Sequence, residues 1–304
     1  KTSRVLAIHI SGGISGTIEF SVLSVRTPPS VSAASAANLT STDAAHLSID
    51  GPCSVLIGQV SAGAFSGTRA WNTERSYPGI SSPTKVVFSV SGEIAVGGSL
   101  TVVLPDEGWS VPSSALAGIQ VLSGGVGTAV KGTWTAATRT LRLELKSTAI
   151  AEGSAVVITI PDVVTPSSVR SASTAAITSR DPNDVVVDGP TGLSVNAIVA
   201  GALGGALEWD SLVDTPGVET SVHVRFRVSG GIGAGGMIQI KLQDGAGWSF
   251  KAMSGPPATI STSVEPVSRR LLSDFTLTRL EIQAVEGDVW EGEDADQIEL
   301  SSNY

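Results

Sequence analysis

Leu47-Ser48-Ile49-Asp50-Gly51-Pro52 is matched, 138 positions later, by Val185-Val186-Val187-Asp188-Gly189-Pro190. At the same offset Trp71 returns as Trp209, Pro78-Gly79 as Pro216-Gly217, and Phe88-Ser89-Val90-Ser91-Gly92 as Phe226-Arg227-Val228-Ser229-Gly230. One constant offset across separated motifs marks an internal duplication. It divides the 304 residues into a partial unit over 1–52, a complete unit over 53–190 and a unit over 191–304 that is expected to lack its final strand. The sequence thus opens inside one repeat and stops before the third is finished.

Within the complete unit the runs at 85–90, 99–104, 119–122, 130–134, 140–145, 155–160 and 185–187 are short, β-branched and bounded by Gly, Pro, Ser or Asp. Leu141-Arg142-Leu143-Glu144-Leu145 alternates with period two, the signature of a half-buried strand. A further run near 55–60 brings the expectation to seven or eight strands, which fits an immunoglobulin-like β-sandwich. No amphipathic helix is apparent, and the Ala-rich stretch at 32–37 reads as a loop. The third unit repeats early strands at 222–228, 237–242 and 277–282 and then reaches 297–300, whereas 1–52 repeats only late ones, at 6–10 and 17–25. The fold class is therefore all-β: tandem immunoglobulin-like β-sandwich repeats with an N-terminal donor strand.

Composition agrees. Charged residues make up 15% and aromatics 5% of the chain, too apolar for disorder and too poor in long charged side chains for helical bundles. A net charge of −9 argues against nucleic acid, whose phosphates demand clustered Lys and Arg. The pair Arg269-Arg270 reads as a solvated loop. The most apolar window, 192–207, contains Asn196 and four glycines, so a membrane span is a poor reading. One cysteine, Cys53, leaves no intrachain disulfide, and its repeat-mate is Thr191.

An open sandwich exposes core side chains and unpaired backbone, which soluble proteins cover. Residues 4–10 suit that role. Leu6, Ile8 and Ile10 share one face of an extended segment, and Ser11-Gly12-Gly13 behind them form a hinge.

Little else suggests chemistry. His9, His46 and His223 are scattered with no Cys or His at ligand spacing, so no metal is expected. No nucleophile elbow is present, and the chain reads as a non-enzyme without cofactors. The Gly-rich stretch at 230–236 copies 92–98 between two strands with no helix after it, which is a β-turn and not a phosphate loop. The acidic runs at 181–188 and 286–296 lack the full EF-hand spacing and read as solvated loops. The tryptophans present in both copies, Trp71/Trp209 and Trp109/Trp248, read as packing residues, leaving Trp134 and Trp290 as singular ones. Asn38-Leu39-Thr40 is a glycosylation sequon in a loop-like stretch, pointing to a secreted glycoprotein with glycan on Asn38.

Tandem immunoglobulin-like units behind a detachable strand, Arg4–Ile10 before Ser11-Gly12-Gly13, resemble fibril subunits joined by donor-strand exchange. The mechanism is similar to that of bacterial pilins, and the Ser/Thr/Ala/Gly-rich repeats look like those of extracellular fibrils of aquatic microorganisms. Pilins themselves are smaller, usually single-domain, and many carry a disulfide that this chain cannot form. The resemblance implies an extracellular or cell-surface structural protein whose partners are other copies of the same chain in a helical homopolymer, with attached glycans and neither nucleic acid nor membrane. The alternatives are an adhesin or carbohydrate-binding repeat protein, and a fragment of a longer repeat protein.

Overall fold

The computed structural model describes residues 4–23, 25–243, 247–249 and, as backbone, 297–301. In chain order the strands are β1 (Ser35–Thr42), β2 (Ser48–Ile57), β3 (Ser66–Thr73), β4 (Ser81–Ser89), β5 (Ser99–Val103), β6 (Gln120–Ser123), β7 (Val126–Thr128), β8 (Val130–Thr135), β9 (Thr140–Leu145), β10 (Ala155–Val164), β11 (Ser173–Arg180), β12 (Thr191–Val195), β13 (Gly204–Ser211), β14 (Val222–Arg227), β15 (Met237–Lys241) and β16 (Gln297–Ser301). A five-residue helix, α1 (Ser113–Ala117), lies between β5 and β6. The described chain is all-β apart from α1 and one short 3-10 turn at 136–138.

Strands β3 to β12 form one ten-stranded sheet in the order β7-β6-β10-β4-β3-β12-β11-β5-β9-β8. The junction in its middle is narrow: β12 meets β3 in parallel through Ser194–Ala70 and Val195–Trp71, whereas the other pairings are antiparallel and mostly longer. Val86, Phe88, Val156, Ile158 and Ile160 on one side of that seam share a single core with Leu100, Val102, Leu141, Leu143 and Ile177 on the other. One continuous sheet reaches that arrangement by folding about the seam, which makes a sandwich of two layers. Strand β9 shows the cause in miniature. Leu141, Leu143 and Leu145 alternate with Arg142 and Glu144, and the three leucines are buried while Arg142 stays in solvent. Each contributes about 1.5–3 kcal/mol as its side chain leaves water.

The strands do not follow the expected boundary at 190. Strand β12 lies beyond it and is hydrogen-bonded within the same sheet, while the expected closing strand at 185–187 contributes only an isolated bridge from Val186 to Arg180. The run expected near 55–60 belongs to β2, which pairs with β1 and not with the central sheet. The Ala-rich stretch read as a loop leads into β1, whose residues 35–37 pair with 55–57. Alanine has little strand preference of its own, and the ladder to β2 overrides it.

Strand bounds now carry the offset more finely than the motifs do. β11 and β1 differ by 138 at both ends, as do β13 and β3, and β15 and β5. The turn before β5, where the Gly98 N–H donates to Ala95 O at 2.9 Å, returns before β15 as Gly236 to Gly233 at 3.0 Å. The Asp-Gly-Pro motif has a backbone reason. Gly189 and Gly51 sit at φ +85 and +89 before cis prolines, and a Cβ on either would lie 2.5 Å from a carbonyl oxygen, that of Ile177 or of Leu39. Only glycine fits both demands.

Asp181 organises the loop after β11. Its carboxyl accepts N–H bonds from Asn183 at 2.9 Å and Val185 at 2.8 Å and an O–H bond from Ser30 at 3.1 Å. Burial alone would raise its pKa, but the bonds from Val185, Ser30 and Asn183 prevail and hold it below the usual value of 3.8. A depressed folded value stabilises the fold above 3.8, and that contribution is lost as pH falls through the folded value. Asp181→Asn is therefore expected to lower the urea midpoint at neutral pH and to flatten its fall on the acid side. An unchanged acid limb in the variant would contradict the assignment.

Candidate assembly surfaces

Residues 4–23 are exposed and form no strand, with bends at Ser11, Gly12 and Gly16. Leu6, Ile8 and Ile10 are exposed, as are Ile14, Ile18 and Phe20 beyond the hinge residues Ser11, Gly12 and Gly13. The strand expected at 17–25 is thus not formed in the described part of this segment. An ion pair from Arg26 to Glu93 ties the end of the segment to the central sandwich.

The β1–β2 hairpin is exposed along its whole length. Its counterparts are not: β11 and β12 bury Ala175, Ile177, Ser179, Leu193 and Val195. Asn38 lies in β1 opposite Ser54, so the sequon falls in a strand and not in the expected loop. Cys53 is exposed in β2 as a free thiol. At the other end of the described chain β13 pairs with β14, and Val224 and Val228 are exposed where their counterparts Val86 and Val90 are buried. The edge-to-face pair Trp71–Trp109, with centroids 6.1 Å apart, is repeated by Trp209–Trp248 at 5.7 Å. Trp71 and Trp109 are buried, whereas Trp248 is exposed.

A buried aspartate locks the sandwich together. The carboxyl of Asp188 accepts bonds from the Ser91 hydroxyl, the Ser91 N–H at 3.3 Å and the Gly92 N–H at 3.1 Å. The Ser179 hydroxyl also faces it, at 3.4 Å, and accepts the Asp188 N–H at 3.0 Å. Gly63 completes the cradle: its N–H reaches Val187 O at 2.9 Å, its carbonyl accepts the Gly189 N–H at 2.8 Å, and a Cβ there would lie 2.1 Å from the carboxyl. Asp188, Ser91 and Gly92 all stand in the repeated motifs, but repetition alone gives them no joint role, since Ser91 and Asp188 are 97 residues apart in the chain.

The remaining singled-out residues do not converge. His9, His46 and His223 are exposed and separate, and among the described residues no group of three or more His, Cys, Asp or Glu is arranged around a common point. Trp134 is half-buried against the core. Trp290, Arg269-Arg270, the expected strand at 277–282 and the acidic run at 286–296 lie outside the described residues. Among the described residues no helix is long and apolar enough to cross a membrane.

The fold is an all-β sandwich flanked by the β1–β2 hairpin and the β13–β14 pair, whose apolar residues Leu39, Val55, Ile57, Val224 and Val228 are exposed. No protein-family model matches the chain, and no curated protein matches it. Among solved structures it is similar to the RrgA Jo.In complex, at 11% identity over 41% of this chain and 77% of that one, with a TM-score of 0.27. It is also similar to BcpA, the major pilin subunit of Bacillus cereus, at 12% identity over 45% of this chain and 40% of that one, with a TM-score of 0.28. A single-residue variant of the same pilin aligns at 11% identity over 76% of this chain and 75% of its own, with a TM-score of 0.33. Likeness at these TM-scores does not extend to what those proteins assemble into.

Proposed function

We propose that this chain is a structural, non-catalytic subunit that polymerises head to tail into an extracellular helical filament, its N-terminal strand inserting into an immunoglobulin-like domain of another copy. The observation that carries the reading is the segment 4–10, whose Leu6, Ile8 and Ile10 are all in solvent ahead of Ser11-Gly12-Gly13. Such a strip is a liability unless another sheet accepts it. A glycan on Asn38 is compatible with the filament. Its counterpart Ala176 sits on the exposed outer face of β11, between the buried Ala175 and Ile177.

Deleting residues 1–10 tests the reading. The truncated chain is expected to keep the central sandwich, whose ladders use none of residues 4–10, and to form no filaments by electron microscopy. Filaments of normal yield and length from the truncated chain would remove the N-terminal strand as the linker.

A further inference from the structure

We propose that the β1–β2 hairpin of one copy docks on β13 and β14 of a second copy, with its Asp50 seated between Gly201, Ser229 and Gly230. The proposal rests on the head-to-tail reading above and specifies where that junction closes.

The two surfaces are the separated halves of an interface that the central sandwich makes within itself. There, β12 runs parallel to β3, and Asp188 is held by Ser91 and Gly92 above Gly63. Subtracting the offset from one side gives β2 and Asp50, and adding it to the other gives β13, Ser229, Gly230 and Gly201. Each half retains its own share of the geometry. Asp50 keeps the serine on its own hairpin: the Ser41 hydroxyl donates to its carboxyl at 3.0 Å and accepts its N–H at 3.0 Å, as Ser179 does for Asp188. Asp50 lacks the Ser-Gly donors. On the opposite half, Gly201 stands against Ser229 as Gly63 stands against Ser91: a Cβ on Gly201 would lie 2.3 Å from Ser229 Cβ, and where the central sandwich has the Asp188 carboxyl the Tyr77 ring lies beside Gly201, 3.3 Å from that Cβ.

The apolar faces match in the same way. Leu39 is 57% exposed where its counterpart Ile177 is 0%, Val55 46% where Leu193 is 0%, and Ile57 48% where Val195 is 2%. They would face Val224, Phe226 and Val228, whose counterparts Val86, Phe88 and Val90 are buried. The central pairing sets the register: Leu56 opposite Glu208 and Ile57 opposite Trp209, in parallel. Docking displaces the Tyr77–Gly79 stretch, whose Pro78 O accepts the Gly231 N–H at 2.9 Å and lies against Gly230, and it turns the Ser229 hydroxyl away from Ala202 O, to which it donates at 2.6 Å. Within one sandwich the equivalent interface is stable, so the occupant that fits this surface best is a second copy of this chain.

The test uses the full chain. Asp50→Ala removes the carboxyl, and Ser229→Leu fills the cradle. Each alone is expected to raise the critical concentration for filament growth about 10- to 100-fold, the effect of losing charge-assisted bonds at a junction. Mixed in equal amounts they should form dimers and no longer species, because one intact junction remains per pair. A second arm does not depend on those variants. With Cys53→Ser, the double substitution Leu56→Cys and Glu208→Cys should give a ladder of disulfide-linked multimers on oxidation, since facing strand residues lie within the roughly 4.4–6.8 Å that a disulfide spans.

Normal filaments from both single variants and no ladder, with the 1–10 deletion still blocking growth, would overturn this junction and leave the head-to-tail reading standing. Normal filaments from the deletion as well, or a wild-type chain that stays monomeric, would overturn both. A disulfide formed within monomers would show closure inside one chain and overturn the second copy as occupant.

Discussion

Replacing Asp188 with Ala is expected to destabilise the central sandwich by about 2–4 kcal/mol, read as a lowered urea midpoint at unchanged slope. The carboxyl is fully buried and accepts from the Ser91 hydroxyl and the N–H groups of Ser91 and Gly92 across the seam between the β4 and β11–β12 sides. Removing it strands those donors where water reaches them only in part. Asp50→Ala in a monomeric chain supplies the contrast: Asp50 lies on an exposed hairpin, so its loss should change unfolding by no more than about 0.5 kcal/mol. Two aspartates in one repeated motif would then differ because their surroundings differ. Equal, small effects at both positions would show that the buried bonds contribute no net stability.

Ile8→Asp is expected to abolish polymerisation, while Ala7→Asp reduces it far less. Alternate residues of an extended strand face opposite ways, so Ile8 shares a face with Leu6 and Ile10 and Ala7 does not. Full burial of those three side chains would yield roughly 5–9 kcal/mol as an upper bound at ~1.5–3 each, and an unpaired carboxylate among them would cancel it. Both variants should unfold with the wild-type urea midpoint, since residues 4–10 enter no ladder of the sandwich. A synthetic peptide of residues 1–13 should cap wild-type growth, and its Ile8→Asp form should not. Filaments shortened equally by the two substitutions would count against insertion of this face.

The strands of the central sheet differ in how legible they are in the sequence. Residues 140–145 announce themselves because leucine alternates with charge, and the structure buries the leucines. Residues 66–73 and 173–180 went unread as strands: Ser, Gly, Thr and Ala carry no period-two contrast, and these segments become β3 and β11 because neighbouring backbone pairs with them. The shared tryptophans were legible as packing residues through their repetition alone. The Asp188 cradle was not, because its members are 97 residues apart and only folding brings Ser91 under Asp188.

Sequence by itself determined the strand chemistry, the absence of a disulfide and the 138-residue period, because alternation, composition and repetition are properties of the chain read in one dimension. Tertiary structure alone decided which strands close a sandwich. β12 completes the central sheet by running parallel to β3, while β2, its copy, lies uncovered on its hairpin. The reason is physical: a strand's register and burial are set by the partner presented to its edge and face, and in these two places the same motif meets different surroundings.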